Sequence, residues 1–263
     1  MRRFSAAAAV LFFLATNIIA QNADKVRPEN KGPQLYNMSF DHWCKIRREW
    51  CLHEEGADPK DRIWGTANRG LSILGINGTE PESEIVAVKG PGKMAVKLHS
   101  EKILWAFAAG ALYNGSFVRI VDWSGAEITW GVPFTARPKS MSGYYYYIPK
   151  PINYAKNPYK HLKGTMDEGQ IEVILTDWNE PVHIISNDGS LVDTENDPHI
   201  IGRGYITIDK PTGGYVKFDM PIKYKNDKTP KYVVVIGTSS RYGGYYTGGN
   251  GSTLYLDEFE FKY

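Results

Sequence analysis

The chain has 263 residues, of which 42% are hydrophobic and 13% aromatic. That is enough to bury one large core, at a size where a β-sandwich commonly stays a single domain. The 31 basic and 29 acidic residues nearly cancel, and setting Arg2 and Arg3 aside removes the excess, so no net field steers the chain to nucleic acid or an anionic membrane.

The first twenty residues read as an address. Arg2 and Arg3 form a charged start, Ala6 to Ala15 is mostly apolar and Ala20 precedes a polar stretch, the three parts of a secretory signal peptide. A membrane anchor needs about 20 apolar residues, and Asn17 interrupts too early. No cysteine follows the cleavage region, so the usual bacterial lipid anchor is not expected. The expected location is the periplasm, the outer-membrane surface or the medium, with no transmembrane segment in the mature chain. Residues 21–34 read as a polar leader, and 35–263 as one domain.

Cys44 and Cys51 pose a conflict. Phe40, Trp43, Ile46 and Trp50 are spaced for a short amphipathic helix. In a straight helix, residues seven apart lie about 10 Å apart, whereas a disulfide needs Cα atoms within about 7 Å. An exported, oxidising setting favours the Cys44–Cys51 bridge. His42 and His53 lie close by, but neither makes a familiar ligand spacing, so no metal site is expected there.

Short apolar or alternating runs follow: Leu71–Ile76, Met94–Leu98, Phe117–Val121, Tyr144–Ile148, Ile171–Thr176, Tyr205–Ile208 and Tyr215–Met220. Two closing strands complete the series, Tyr232–Gly237 and Thr253–Tyr263. Gly90-Pro91, Asn114-Gly115 and Asp188-Gly189 punctuate them as turns. Helical periodicity is confined to the cysteine segment and Lys102–Leu112. Many short strands with polar turns predict an all-β, antiparallel, jelly-roll-like sandwich with at most one or two short helices.

Two features point to chemistry. The first is aromatic. Of the consecutive Tyr144, Tyr145, Tyr146 and Tyr147, two must face away from the core. Tyr242, Tyr245 and Tyr246 sit in a glycine-rich loop, where rings with polar tips suit a pyranose face. Taken singly, each tyrosine is also explained by capping a sandwich edge. The second feature is carboxylate. Strand alternation puts Asp257 on a face with Tyr255, Phe259, Phe261 and Tyr263, and Asp177 at the end of the stripe Ile171, Val173, Leu175. A buried carboxylate needs a hydrogen-bonded, cationic or metal partner; Arg137 and Arg241 are the candidate cations. Structural Ca²⁺ at Asp257 is the metal alternative. Glycoside hydrolysis would need two such carboxyl groups. The acidic run Asp188, Asp193, Glu195, Asp197 misses EF-hand spacing and reads as a solvated loop. Asn37, Asn77, Asn114 and Asn250 match Asn-x-Ser/Thr.

Several stretches together resemble one family. They are Trp64-Gly-Thr-Ala-Asn68, Ala109 to Phe117, Gly131 to Pro138, Gly143 to Tyr147, Val173 to Trp178, Thr238 to Gly249 and the ending Tyr-Leu-Asp-Glu-Phe-Glu-Phe. The family is the putative carbohydrate metabolism domain of exported proteins in polysaccharide-using Gram-negative bacteria. The resemblance implies a jelly-roll sandwich similar to carbohydrate-binding modules. It also implies a place among carbohydrate-binding surface proteins or glycoside hydrolases.

The leading expectation is an exported, non-catalytic glycan-binding protein acting with other surface glycan-uptake proteins. Tyr144, Tyr145, Tyr146, Tyr147, Trp178, Tyr242, Tyr245 and Tyr246 would stack on sugars, with Arg137, Asp177 and Arg241 supplying hydrogen bonds. The alternatives are a glycoside hydrolase using Asp177 and Asp257, with Asp219 or Glu258, and a structural component of a surface assembly.

Overall fold

Runs of Val, Ile and Tyr that alternate with polar residues become the strands of two facing antiparallel sheets. The computed structural model describes residues 32–103, 106–121, 125–186 and 191–263. The segment read as a signal peptide, most of the segment read as a leader, and Asp188-Gly189 lie outside the described residues.

In chain order, a small hairpin of β1 (Cys44–Ile46) and β2 (Glu49–Cys51) precedes β3 (Trp64–Thr66), helix α1 (Asn68–Leu71), β4 (Thr79–Glu82) and β5 (Ala95–His99). A second small hairpin, β6 (Glu101–Ile103) and β7 (Ala106–Ala108), leads into β8 (Ala111–Val121), β9 (Gly125–Trp130) and β10 (Val132–Pro133). Next come β11 (Ser140–Ile148), β12 (Gly169–Thr176), β13 (Val182–Ile185) and β14 (Ile200–Ile208). The last are β15 (Val216–Pro221), β16 (Lys223–Tyr224), β17 (Tyr232–Thr238) and β18 (Thr253–Lys262).

The larger sheet runs β13-β9-β8-β17-β12-β14-β16, with β3 added on β8 and β10 on β17; the smaller runs β15-β11-β18-β5-β4. Ile171, Val173, Leu175, Val233 and Val235 of the larger sheet meet Met141, Tyr147, Leu254, Leu256, Phe259 and Phe261 of the smaller in one buried cluster. Fully burying such a side chain contributes about 1.5–3 kcal/mol, so this cluster holds the sheets together. The architecture is the all-β, jelly-roll-like sandwich the strand pattern predicts.

Four local expectations are corrected. The cysteine segment is a hairpin, not a helix: Arg47 takes a left-handed φ of 57°, and asparagine amides from outside the hairpin hold the extended backbone. Trp50 donates its N–H to Asn77 Oδ1 at 3.1 Å and accepts from Asn68 Nδ2 at 2.9 Å. Tertiary hydrogen bonding overrides the 3.6-residue period. Leu71–Ile76 is not a strand, because α1 continues into a 3₁₀ turn over Ser72–Leu74 that ends at left-handed Gly75. The described part of Lys102–Leu112 forms β6, β7 and the start of β8 rather than a helix.

Asn114-Gly115 is no turn. It lies inside β8, where Asn114 is fully buried, accepts from Val235 N at 2.9 Å and donates toward Ile63 O. Gly115 (φ 145°) lets β9 cross so closely that a Cβ would sit 1.8 Å from the Thr129 carbonyl oxygen. Gly115→Ala is therefore expected to cost about 3 kcal/mol or more by combining strain and overlap, read as a lowered urea midpoint.

Candidate functional site

The glycine-rich connection between β17 and β18 is fixed from beneath by one carboxylate. Asp167 is fully buried just ahead of β12. Its Oδ2 accepts from Ser240 Oγ (2.6 Å), Gly249 N (2.7 Å) and Ser252 Oγ (2.8 Å), and Oδ1 from Glu168 N (2.9 Å). Burial pushes its carboxyl upward, opposed by these four bonds. Ser100 Oγ lies 2.7 Å from both Ser239 Oγ and Ser240 Oγ, and Tyr147 OH donates to Ser239 O at 2.9 Å. Gly249 is required here, since a Cβ would meet the Lys150 carbonyl oxygen at 2.6 Å.

On its outer side the loop presents aromatic rings. Tyr159 lies 4.3 Å from Tyr242 and 4.9 Å, edge-on, from Tyr245. Tyr245 is 39% exposed. Tyr246, at a left-handed φ of 53°, shares a hydrogen bond with Ser186 Oγ (2.9 Å), and Lys156 Nζ lies 4.7 Å over its ring. Arg241 stacks 5.3 Å over Tyr242 and donates to Glu168 at 2.9 Å. The Tyr159 segment also lines a shallow, open depression of about 420 Å³ at Ala155, Lys156, Asn157 and Lys160. Tyr159 and Asp167 were missed in the sequence, being brought in from residues far along the chain.

A second aromatic surface lies on the outer face of the smaller sheet. The tyrosine run divides as expected: Tyr145 and Tyr147 face the core, while Tyr144 and Tyr146 face outward. Tyr146 stacks on Tyr255 at 5.4 Å, with Tyr215 6.0 Å away. Tyr144 pairs across the strands with Asp257.

Asp257 does not share a face with Phe259 and Phe261. Glu258 has a left-handed φ of 50°, and the β11–β18 register slips there. This bulge leaves Tyr255 and Asp257 outward and returns both phenylalanines to the core. Asp257 is 1% exposed, accepts from Ala87 N at 2.7 Å, and its Oδ1 has no hydrogen-bond partner among the described residues. Burial pushes this carboxyl up to about 6, with the charges of Glu258 and Asp41 adding. Among the described residues Asp257 belongs to no group of three or more metal-ligating side chains.

The other candidate residues are engaged elsewhere. Asp177 follows β12 in the larger sheet and binds Lys228 (2.5 Å) and His199 (2.8 Å), and the Lys228 bond holds its carboxyl low. It shares no partner with Asp257, so the structure does not assemble that pair. Asp219 binds Lys262 (2.8 Å), which holds it low as well. Glu258 shares Lys93 with Asp41, at 2.6 and 2.8 Å. Trp178 is 5% exposed among Ile174, Ile200 and Val234, leaving no ring face for a sugar. Tyr147 is fully buried, and Tyr145 packs on Phe218 at 6.1 Å. Arg137 donates to the carbonyls of Lys228 and Asn226 and lies 4.0 Å over Tyr224, where it pins a loop. Two sequons, Asn37 and Asn114, are buried.

The family model described as "Putative carbohydrate metabolism domain" matches residues 39–262. The chain belongs to this family. Among solved structures, this family member is similar to a protein described as a putative glycoside hydrolase from Bacteroides thetaiotaomicron. That match has 20% identity and a TM-score of 0.67 over 88% of this chain and 71% of that one. A second protein so described, from Bacteroides vulgatus, matches with 18% identity and a TM-score of 0.57 over 76% and 85%. Both show the fold. A carbohydrate-binding module specific for non-crystalline cellulose gives 10% identity and a TM-score of 0.33 over 77% and 88%, too low to argue from. No curated protein matches the sequence.

Two outcomes follow for the carboxylates. Asp167→Ala leaves two hydroxyls and two N–H groups without their buried acceptor, and is expected to destabilise by about 3 kcal/mol or more, measured by urea unfolding. The raised pKa of Asp257 favours the folded state while it is protonated. Its contribution is full below about pH 4 and is lost as pH rises through about 6. The unfolding free energy should therefore fall by about 2–3 kcal/mol over that window, and Asp257→Asn should remove this component.

Proposed function

We propose that this protein is an exported glycan-binding protein of a polysaccharide-utilisation system. In this reading, the cluster of Tyr159, Tyr242 and Tyr245 is the sugar platform. The observation that carries the reading is a partly exposed tyrosine cluster, with Tyr245 outermost, beside a buried, hydrogen-bonded support. Tyrosine rings offer apolar faces to pyranose C–H groups, with hydroxyls for the sugar's edge. A support fixed before binding avoids the ordering cost that a mobile loop incurs. Lys156, Asn157, Lys160 and Arg241 lie beside the rings in the chain and supply donors for glycan hydroxyls. Family membership supports a carbohydrate-related role, and the charged, apolar and polar parts of residues 1–20 support export. Among the described residues no helix is long and apolar enough to cross a membrane.

Tyr159→Ala, Tyr242→Ala and Tyr245→Ala should each weaken binding by about 1–3 kcal/mol, or roughly 5- to 150-fold. Ile46→Ala is the control, since Ile46 is half exposed on β1, in the separate two-stranded β1–β2 sheet. Migration in native gels containing a panel of polysaccharides is the readout. Retardation lost in the three variants and kept in the control, with the polysaccharide recovered intact, supports the reading. Equal retardation of all four variants in their folded state would refute this site.

One observation favours a second reading, a glycoside hydrolase. Asp257, with its carboxyl near 6 on a tyrosine-bearing face, has the protonation range of a general acid. Nearby Asp41 is held low despite burial by its bonds to Lys93 and Met94. Release of reducing ends by the wild type, abolished in Asp257→Asn with binding unchanged, would establish that activity.

A further inference from the structure

The hairpin β1–β2 carries a cluster that the glycan reading leaves unused. Leu52 is 1% exposed, and His53 follows it just past the end of β2. Cys44 lies directly across from Cys51, and paired residues in a sheet project from the same face. The ligating atoms of all three side chains come together. One ligating atom from each of Cys44, Cys51 and His53 lies within 4.8 Å of the others, and Cys44 Sγ is 3.6 Å from His53 Nδ1. In a tetrahedral site with metal–sulfur and metal–nitrogen bonds of about 2.3 and 2.05 Å, the sulfur and nitrogen lie about 3.6 Å apart.

The register disfavours a disulfide at the same place. The N–H and C=O of Trp50 are bound outward by Asn77 and Asn68, so Lys45 and Trp50 form a non-hydrogen-bonded pair. The next pair, Cys44 and Cys51, is then hydrogen-bonded. Such pairs hold their Cβ atoms about 5.5 Å apart, beyond the roughly 3.5–4.5 Å that a disulfide needs. Both cysteines are free thiols in the structure.

The surroundings suit a cation held in place. Glu49 and Glu55 bring negative charge to the thiols, with Arg62 the opposing charge beside Cys44. The cluster is half buried. Its backbone is braced by Asn68 and Asn77, and by Asn37, which donates to the carbonyls of Leu52 (3.1 Å) and His42 (2.9 Å). Supporting side chains of this kind fix metal ligands in position.

We propose that Cys44, Cys51 and His53 form a binding site for a thiolate-preferring divalent metal ion of the Zn²⁺ class, with the fourth position open to water. Binding forms two metal–sulfur bonds and one metal–nitrogen bond and releases the two thiol protons. The imidazole proton then resides on Nε2, and Nδ1 exchanges its present contact with Glu54 O (2.8 Å) for the metal.

The test uses the full chain, reduced and kept under argon, titrated with Co²⁺ as a spectroscopic probe and then with Zn²⁺. A thiolate-to-cobalt charge-transfer band saturating at one equivalent, reversed by Zn²⁺ with two protons released per ion, is the expected result. Cys44→Ser and Cys51→Ser should lose the two-thiolate band. His53→Ala, a surface change that keeps the fold, should weaken cobalt binding at least tenfold. Absence of the band from protein that is folded by circular dichroism would overturn the site. So would chain isolated as a disulfide that takes up no cobalt after reduction. An unchanged affinity in His53→Ala would overturn the three-residue assignment.

Discussion

Asp167 ties together the parts of the chain that no sheet joins. A carboxylate withdrawn from water loses several kcal/mol of hydration, and here each lost water is replaced by a protein donor. Charge-assisted bonds of this kind contribute about 1.5–3 kcal/mol apiece. Their value depends on geometry, so the donors must stay where they are. Ser240, Gly249 and Ser252 come from one connection, and Ser100 reaches the same network from the start of the β6–β7 hairpin. Through this network the Ser239–Ser252 connection, rich in glycine and outside any sheet, gains a fixed shape. The tyrosines above it inherit that shape. This is the physical content of preorganisation: the entropy of ordering the loop is lost on folding, before any ligand arrives.

The strands were legible because their residues satisfy two requirements at once. Val233, Val234 and Val235 are β-branched, suiting an extended backbone, and form the fully buried run expected of a central strand. The split of Tyr144–Tyr147 into two inward and two outward rings follows from the period of two alone. Period also explains the failures. One residue, Glu258, in a left-handed conformation shifts the register, and every inference drawn across it changes sign. Asp257 was therefore assigned to the face of Phe259, although it belongs with Tyr255. The cysteine segment has a convincing helical spacing, yet its backbone groups are bound by Asn68 and Asn77, which a local window cannot see.

The site itself was legible only in part. The glycine-rich loop and its tyrosines announced themselves by composition. Their support did not, because Ser100, Asp167, Ser240 and Ser252 lie in three separate stretches, none unusual alone. Tyr159, in the Pro151–Lys160 stretch, carried no signal until Tyr242 was seen 4.3 Å from it. Asp177 misled in the opposite direction. It ends an apolar stripe, as a buried catalytic group would, but the strand terminates there and the side chain reaches Lys228 and His199 instead. A position at the end of a stripe says where a residue leaves the core and nothing about what meets it outside.

The two aromatic surfaces differ in what their rings have left to offer. On the smaller sheet Tyr146 gives a face to Tyr255, the Tyr215 hydroxyl is bound to Ile85 O, and Tyr255 is 6% exposed. The segment that supplies Ile85 O also gives Asp257 a hydrogen bond, from Ala87 N. These rings are engaged with one another and with the 83–93 segment. A sugar reaching them would have to displace contacts already made. At the loop end, Tyr245 meets Tyr159 edge-on and keeps 39% of its surface in water. Burying that remaining apolar surface is gain without a corresponding loss. For two clusters of similar composition, the proposed platform is the one that keeps a ring, Tyr245, in part uncommitted.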